Sequence, residues 1–221
     1  MTLAHRAAAT GPGRSAASAH AAGGHAAPHY PGVRFVDCTR IAPEAWANGA
    51  GVTRMIARRA GADGDADWRI SLATLEGSAR FSQFPGIDRT LVPVDDASVE
   101  LHLQDGHLIA LPTQPAHFPG DLLMWTSGIV RPTHVLNVMT RRAACRAAVV
   151  VTTHSRRITP APTHLLICAA GQWHVGSALL STQTLVPLHG LWLEGRGEEL
   201  DLRPAAPESR LISIAIEPAA P

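Results

Sequence analysis

From Val33 onward, apolar and polar positions follow period 2 far better than a helical period. The run 68–73 alternates cleanly, with Trp68, Ile70 and Leu72 on one face. In 52–58, strict alternation puts Thr53, Met55 and Ala57 on one face and Arg54, Ile56 and Arg58 on the other. Further short strands are predicted at 33–40, 90–94, 98–104, 108–111, 122–126 and 135–140, spaced by roughly ten residues as in all-β proteins. Asp105-Gly106 is a hairpin signal between two of them, and Pro112, Pro115, Pro119 and Pro132 punctuate the loops. The second half repeats the style at 147–153, 165–169, 173–176, 184–187, 191–194, 199–202 and 211–217. No helix longer than two turns is predicted. About fifteen short antiparallel strands imply a sandwich or barrel, and two similar halves imply two stacked barrels. Pro160 and Pro162 mark a seam between halves, although no internal sequence repeat stands out.

Composition narrows the picture. The 221 residues allow one large domain or two small ones with a substantial core. Residues 1–31 are Ala, Gly, Ser and His with little else, too few apolar groups to offset the entropy of ordering, and are expected to be disordered. Their histidines, His5, His20, His25 and His29, fit no metal-site spacing. A net charge of +1 leaves no electrostatic footprint for nucleic acid or an anionic membrane. No apolar run approaches the ~20 residues of a spanning helix, so no membrane partner is expected. Cys38, Cys145 and Cys168 are odd in number and widely spaced, which fits a reducing, cytoplasmic compartment. All 19 basic residues are Arg, and Asn occurs only at 48 and 137. Depletion of Lys and Asn makes the surviving amides less ordinary.

Three stretches carry candidate chemistry. The first, 46–54, packs Trp46, Asn48, Gly49, Gly51 and Thr53 into one segment, which reads either as a β-turn or as a ligand-facing loop. The second, 81–89, places Phe84, Asp88 and Arg89 around a Pro85-Gly86 turn; an Arg at a pocket mouth grips a carboxylate bidentately, and Arg69 and Arg54 are further candidates. The third, 131–139, sets Val135, Asn137 and Met139 on one strand face, with Asn137 either a buried structural amide or a pocket-wall group. Ser71 and Ser82 lack a GxSxG elbow, so nucleophilic catalysis is not expected. Glu100, His102 and His107 come nearest to a metal-ligand set, but His107 lies beyond the Asp105-Gly106 turn.

Together, Trp46-x-Asn48-Gly49-x-Gly51-x-Thr53, Trp68-Arg69-Ile70-Ser71-x-Ala73, Phe81-Ser82-x-Phe84-Pro85-Gly86-Ile87-Asp88-Arg89 and Asn137-x-Met139 resemble the HutD/Ves family over 34–217. The Phe-Pro-Gly-Ile-Asp-Arg run is the most specific part. The resemblance implies an all-β bicupin, two RmlC-like cupin barrels in one chain, at 32–142 and 143–218, with the second open to exchanging strands with the first. It implies no cofactor, no bound metal and no established reaction. HutD-like members are associated with histidine utilisation and with binding a carboxylate intermediate such as formylglutamate; Ves-like members are linked to cold and environmental stress. The implied ligand-binding residues are Trp46, Asn48, Thr53, Arg69, Ser71, Phe84, Asp88, Arg89 and Asn137. Charged family positions are not acidic or basic in the same way here: a Lys is replaced by Ala47, an acid by Met55, and an Arg-Asp pair by His134-Val135. An acid/base or metal enzyme built on Glu100, His102, His107 and His134 is the alternative. Exposed strand edges make a homodimer an expectation.

Overall fold

The computed structural model describes residues 30–220. Residues 1–29, with their four histidines, lie outside the described residues, as does nearly all of the segment expected to be disordered. Its last two residues are packed: Tyr30 lies against the second-half core and Pro31 O accepts a bond from Arg196.

In chain order the first-half strands are β1 (Val33–Asp37), β2 (Glu44–Ala45), β3 (Gly51–Ala60), β4 (Ala66–Leu75), β5 (Ala79–Arg80), β6 (Ile87–Pro93), β7 (Val99–Leu103), β8 (Gly106–Ala110), β9 (Ala116–Pro119), β10 (Trp125–Thr126) and β11 (Thr133–Arg141). They are followed by β12 (Cys145–Thr152), β13 (Arg156–Ile158), β14 (Thr163–Ala170), β15 (Trp173–Gly176), β16 (Gln183–Leu185), β17 (His189–Glu194), β18 (Leu200–Pro204) and β19 (Arg210–Pro218). One 3-10 turn, Cys38–Arg40, shortens the first predicted strand; the Asp37 carboxylate accepts from Thr39 N–H and caps it.

These strands form four antiparallel sheets, in the orders β2-β3-β4-β11-β6-β9, β5-β10-β7-β8, β1-β17-β14-β19-β12 and β13-β18-β15-β16. Three cores stack them into four layers. The two large sheets face each other at the centre, where Trp68, Ile70, Leu136 and Val138 meet Leu165, Ile167, Ile212 and Ile214. The opposite face of the six-stranded sheet meets the first small sheet through Leu75, Leu91, Val99 and Leu101. The opposite face of the five-stranded sheet meets the second small sheet through Leu166, Trp173, Val175 and Leu202. The result is an all-β, cupin-like fold of two halves. The large sheets are buried on both faces, so their strands carry apolar residues at successive positions rather than every other one.

Three expectations change. Pro160 and Pro162 are not the seam, because β13 and β14 on either side of them both belong to the second half; the chain passes between halves at the β11–β12 turn. The strand β1 is an exception to a division after residue 142, because it pairs with β17 in the five-stranded sheet. The face assignment of 52–58 also fails beyond Met55. A bulge shifts the register, so Met55 pairs with Ser71 but Ala57 pairs with Ile70, and Ala57 joins the central core. Thr53, paired with Ala73, stays on the face toward the first small sheet. The Pro-punctuated segment around 116–119 forms β9, an edge strand, where Pro119 costs no ladder bond in the sheet interior.

Candidate functional site

The side chains that matter project from the six-stranded sheet toward the first small sheet. Register sets them in rows. Arg69 of β4, Met139 of β11, Arg89 of β6 and Phe118 of β9 are successive cross-strand neighbours. The adjacent row carries Met55, Ser71, Asn137 and Leu91. Thr53, Ala73 and Val135 form a third. Period 2 then turns Arg69, Arg89, Asn137 and Thr53 to one interior, while Ile70, Val138 and Trp68 go to the central core.

A cavity of about 300 Å³ opens among these residues. That lies at the lower end of the ~300–1,000 Å³ typical of small-molecule sites. Trp46, Asn48, Thr53, Arg69, Phe84, Arg89 and Asn137 all line it. The two asparagines, 89 positions apart in sequence, therefore share one cavity. Ser71 is buried next to Asn137 in register and does not line it. Asp88 is also outside: it turns away from Arg89 along the strand, and its carboxylate accepts from Arg142 Nε at 2.6 Å. Phe81 also lines the cavity, and Phe118 and Met139 are the cross-strand neighbours of Arg89.

The 46–54 loop is both turn and wall. Gly49 takes φ +69°, and its N–H bonds to Trp46 O at 3.0 Å. Asn48 Oδ1 accepts from Ala50 N–H at 3.1 Å, an Asx turn that orients the amide. A Cβ on Gly51 would stand 2.3 Å from Thr74 O, so only glycine lets the loop close on β4. Trp46 Nε1 donates to Thr53 Oγ1 at 2.7 Å, fixing the indole over the cavity.

Electrostatics set this cavity apart. Arg89 is 6% exposed. Its Nη2 donates to Asn137 Oδ1 at 3.3 Å and its Nη1 to Ser82 O at 3.4 Å, while Nε has no partner. The guanidinium lies 5.1, 5.7 and 5.3 Å from the ring centres of Phe81, Phe84 and Phe118. The chain has four phenylalanines, and three surround this one charge. Arg69 stacks over Phe84 at 4.6 Å and donates from Nε to Met139 Sδ at 3.0 Å, a weak acceptor. Burial, and secondarily the nearby Arg69 charge, pushes Arg89 down to about 10; burial lowers Arg69 as well. Among the described residues, no acid pairs with either guanidinium. Arg141, Arg142, Arg146, Arg157 and Arg196, by contrast, each hold a carboxylate. Two partly desolvated cations without a counter-charge create a local positive potential that an anion would relieve.

A second cavity, about 650 Å³, adjoins the first and shares Arg69 and Phe84 with it. The groups of the enzyme alternative lie elsewhere. His102 stacks on Trp125 at 5.7 Å and bonds Ser127 Oγ at 2.8 Å, and His134 Nδ1 is 3.1 Å from Asp95 Oδ2. Among the described residues, no group of three or more His, Cys, Asp or Glu is placed to hold a metal ion. Cys38, Cys145 and Cys168 are unpaired and buried. No described helix is long and apolar enough to cross a membrane.

Comparison with known proteins identifies the fold and the family. Protein Ves from Citrobacter koseri is 29% identical over 182 residues, covering 81% of this chain and 92% of that protein. The structure of HutD from Pseudomonas fluorescens SBW25 superposes with a TM-score of 0.73 at 22% identity, over 85% of this chain and all of the other. A cupin 2 conserved barrel domain protein from Leptotrichia buccalis shares the fold at a TM-score of 0.54 and 9% identity, over 83% of this chain and 96% of its own. The HutD family model matches residues 39–211, and the chain belongs to the HutD family.

Proposed function

We propose that this chain is a small-molecule-binding protein whose first-half cavity receives a carboxylate. The ligand is formylglutamate or a close relative in histidine utilisation, and its binding restrains flux through that pathway in the cytoplasm. The observation that carries the reading is the Arg69–Arg89 pair. Arg89 is buried and Arg69 half-buried, neither has an acid partner among the described residues, and the Arg69 charge adds to the cost of burying Arg89. A bound carboxylate supplies the missing negative charge and bidentate acceptors. Asn48, Thr53 and Asn137 add hydrogen-bonding groups on the facing walls. The unpaired thiols fit a reducing compartment.

The test is the melting temperature of the protein with formylglutamate, formiminoglutamate and urocanate. A ligand held at a hundred times its Kd stabilises the folded state by about 2.7 kcal/mol. For a domain of this size that is a rise of roughly 5–10 °C. If none of the three shifts the transition at millimolar concentration, the assignment to histidine utilisation fails. The similarity to Protein Ves favours a second reading, a stress-related binding protein that uses the same cavity for another anion.

A further inference from the structure

The two adjoining cavities differ in what they can hold. In the inner one, neither Arg69 nor Arg89 has an acid partner among the described residues. The outer one also contains arginines, but their charges are taken: Arg141 pairs with Asp63, and Arg142 with Asp88 and Asp121. Its remaining wall is largely apolar, with Ala66, Pro85, Ile87, Met139 and Ala143 beside Gln83 and an exposed Asp65 that lies 4.0 Å from Arg141. One cavity therefore offers free positive charge, and the other offers mainly apolar surface without free positive charge.

The boundary between them is the stack of Arg69 on Phe84. Phe84 is fixed: its N–H bonds Gly120 O at 2.7 Å, and the neighbouring Gln83 Nε2 bonds Asp121 O at 2.8 Å. Arg69 is held only by the Phe84 stack and by Nε on the Met139 sulfur. Its terminal nitrogens hold no hydrogen-bond partner among the described residues, and Arg69 and Phe84 are the residues that line both spaces.

We propose that the two cavities form one site for an elongated amphipathic carboxylate. The acid group seats at Arg89 and Arg69, and an uncharged acyl or aryl body passes Phe84 into the outer cavity. This rests on the reading that the inner cavity binds an anion. It goes further by making an N-acyl or N-aroyl amino acid with a long uncharged tail, rather than its short N-formyl counterpart, the best-fitting class.

The experiment is calorimetric titration of the full chain with two compounds that share a head group, N-formylglutamate and N-hexanoylglutamate. Each buried methylene contributes up to about fourfold in affinity, so N-hexanoylglutamate is expected to bind at least about tenfold tighter after ordering costs. Ala143→Trp, a substitution on an exposed turn of the outer cavity, should erase that gain and leave N-formylglutamate affinity unchanged. Ala66→Phe provides an independent block, with the melting temperature checking that each variant folds. Equal or weaker binding of the longer compound overturns the proposal while leaving the anion site standing. A gain that survives both blocks also overturns it, because the tail then lies elsewhere. If neither compound binds, the anion reading itself falls, and this inference with it.

Discussion

Replacing Arg89 with methionine should separate what this residue does for folding from what it does for binding. Arg89 is 6% exposed, and the pKa of its guanidinium is pushed down to about 10 by burial and by Arg69. Relative to an ordinary arginine, that corresponds to about 3 kcal/mol spent at neutral pH on keeping the charge in the folded state. The sign follows from linkage: a cation whose folded pKa is depressed disfavours folding wherever it is protonated, which includes pH 7. Against this stand two long hydrogen bonds, at 3.3 and 3.4 Å, worth about 1 kcal/mol each. Methionine roughly conserves volume and keeps favourable contact with Phe81, Phe84 and Phe118 through sulfur. The balance is a stability gain of about 1 kcal/mol, or a rise of roughly 2–4 °C in Tm for a chain of this length. Urea denaturation monitored by tryptophan fluorescence measures it. A loss of 3 kcal/mol or more would show that Arg89 is a structural group, and the anion-receptor argument would lose its premise.

Other outcomes follow from the same geometry. Gly51→Ala places a Cβ 2.3 Å from Thr74 O and should cost about 2 kcal/mol in the same denaturation assay, with loss of the Trp46 environment. His164 accepts from Ala161 N–H at Nδ1 and bonds Ser213 Oγ at 2.8 Å through Nε2, and burial pushes its pKa down to about 4. Its contribution is complete above the unfolded-state pKa near 6.5 and is lost as pH falls toward 4. The wild type should therefore lose about 3 kcal/mol more than His164→Asn between pH 7 and pH 4, in paired denaturation curves. Asp88→Asn removes an exposed ion pair with Arg142 outside the inner cavity, so calorimetry should find formylglutamate affinity changed by less than about twofold.

Much of this site was legible in the sequence because strand periodicity is local. Trp68, Ile70 and Leu72 announce a buried face, so Arg69 must turn the other way, and the same logic sets Asn137 against Leu136 and Val138. The alternation also separates Asp88 from Arg89, although the family motif carries both. What periodicity hides is the non-local part. The bulge between Met55 and Ala57 depends on pairing with β4, and no local signal in 52–58 marks it. The pairing of β1 with β17 joins residues far apart in the chain. The cage around Arg89 draws Phe118 from an edge strand flanked by prolines, and no local signal in 116–119 marks it. Counting arginines could not show which ones lack an acid, because that depends on where every carboxylate falls.

The central claim is that Arg69 and Arg89 together bind an anion. Calorimetric titration of formylglutamate into the wild type and into Arg89→Met tests it most directly. The wild type should bind one equivalent, and Arg89→Met, though folded and no less stable, should lose affinity by about a hundredfold, the magnitude of a buried charge-assisted pair. Binding of equal strength to the two proteins would contradict the claim.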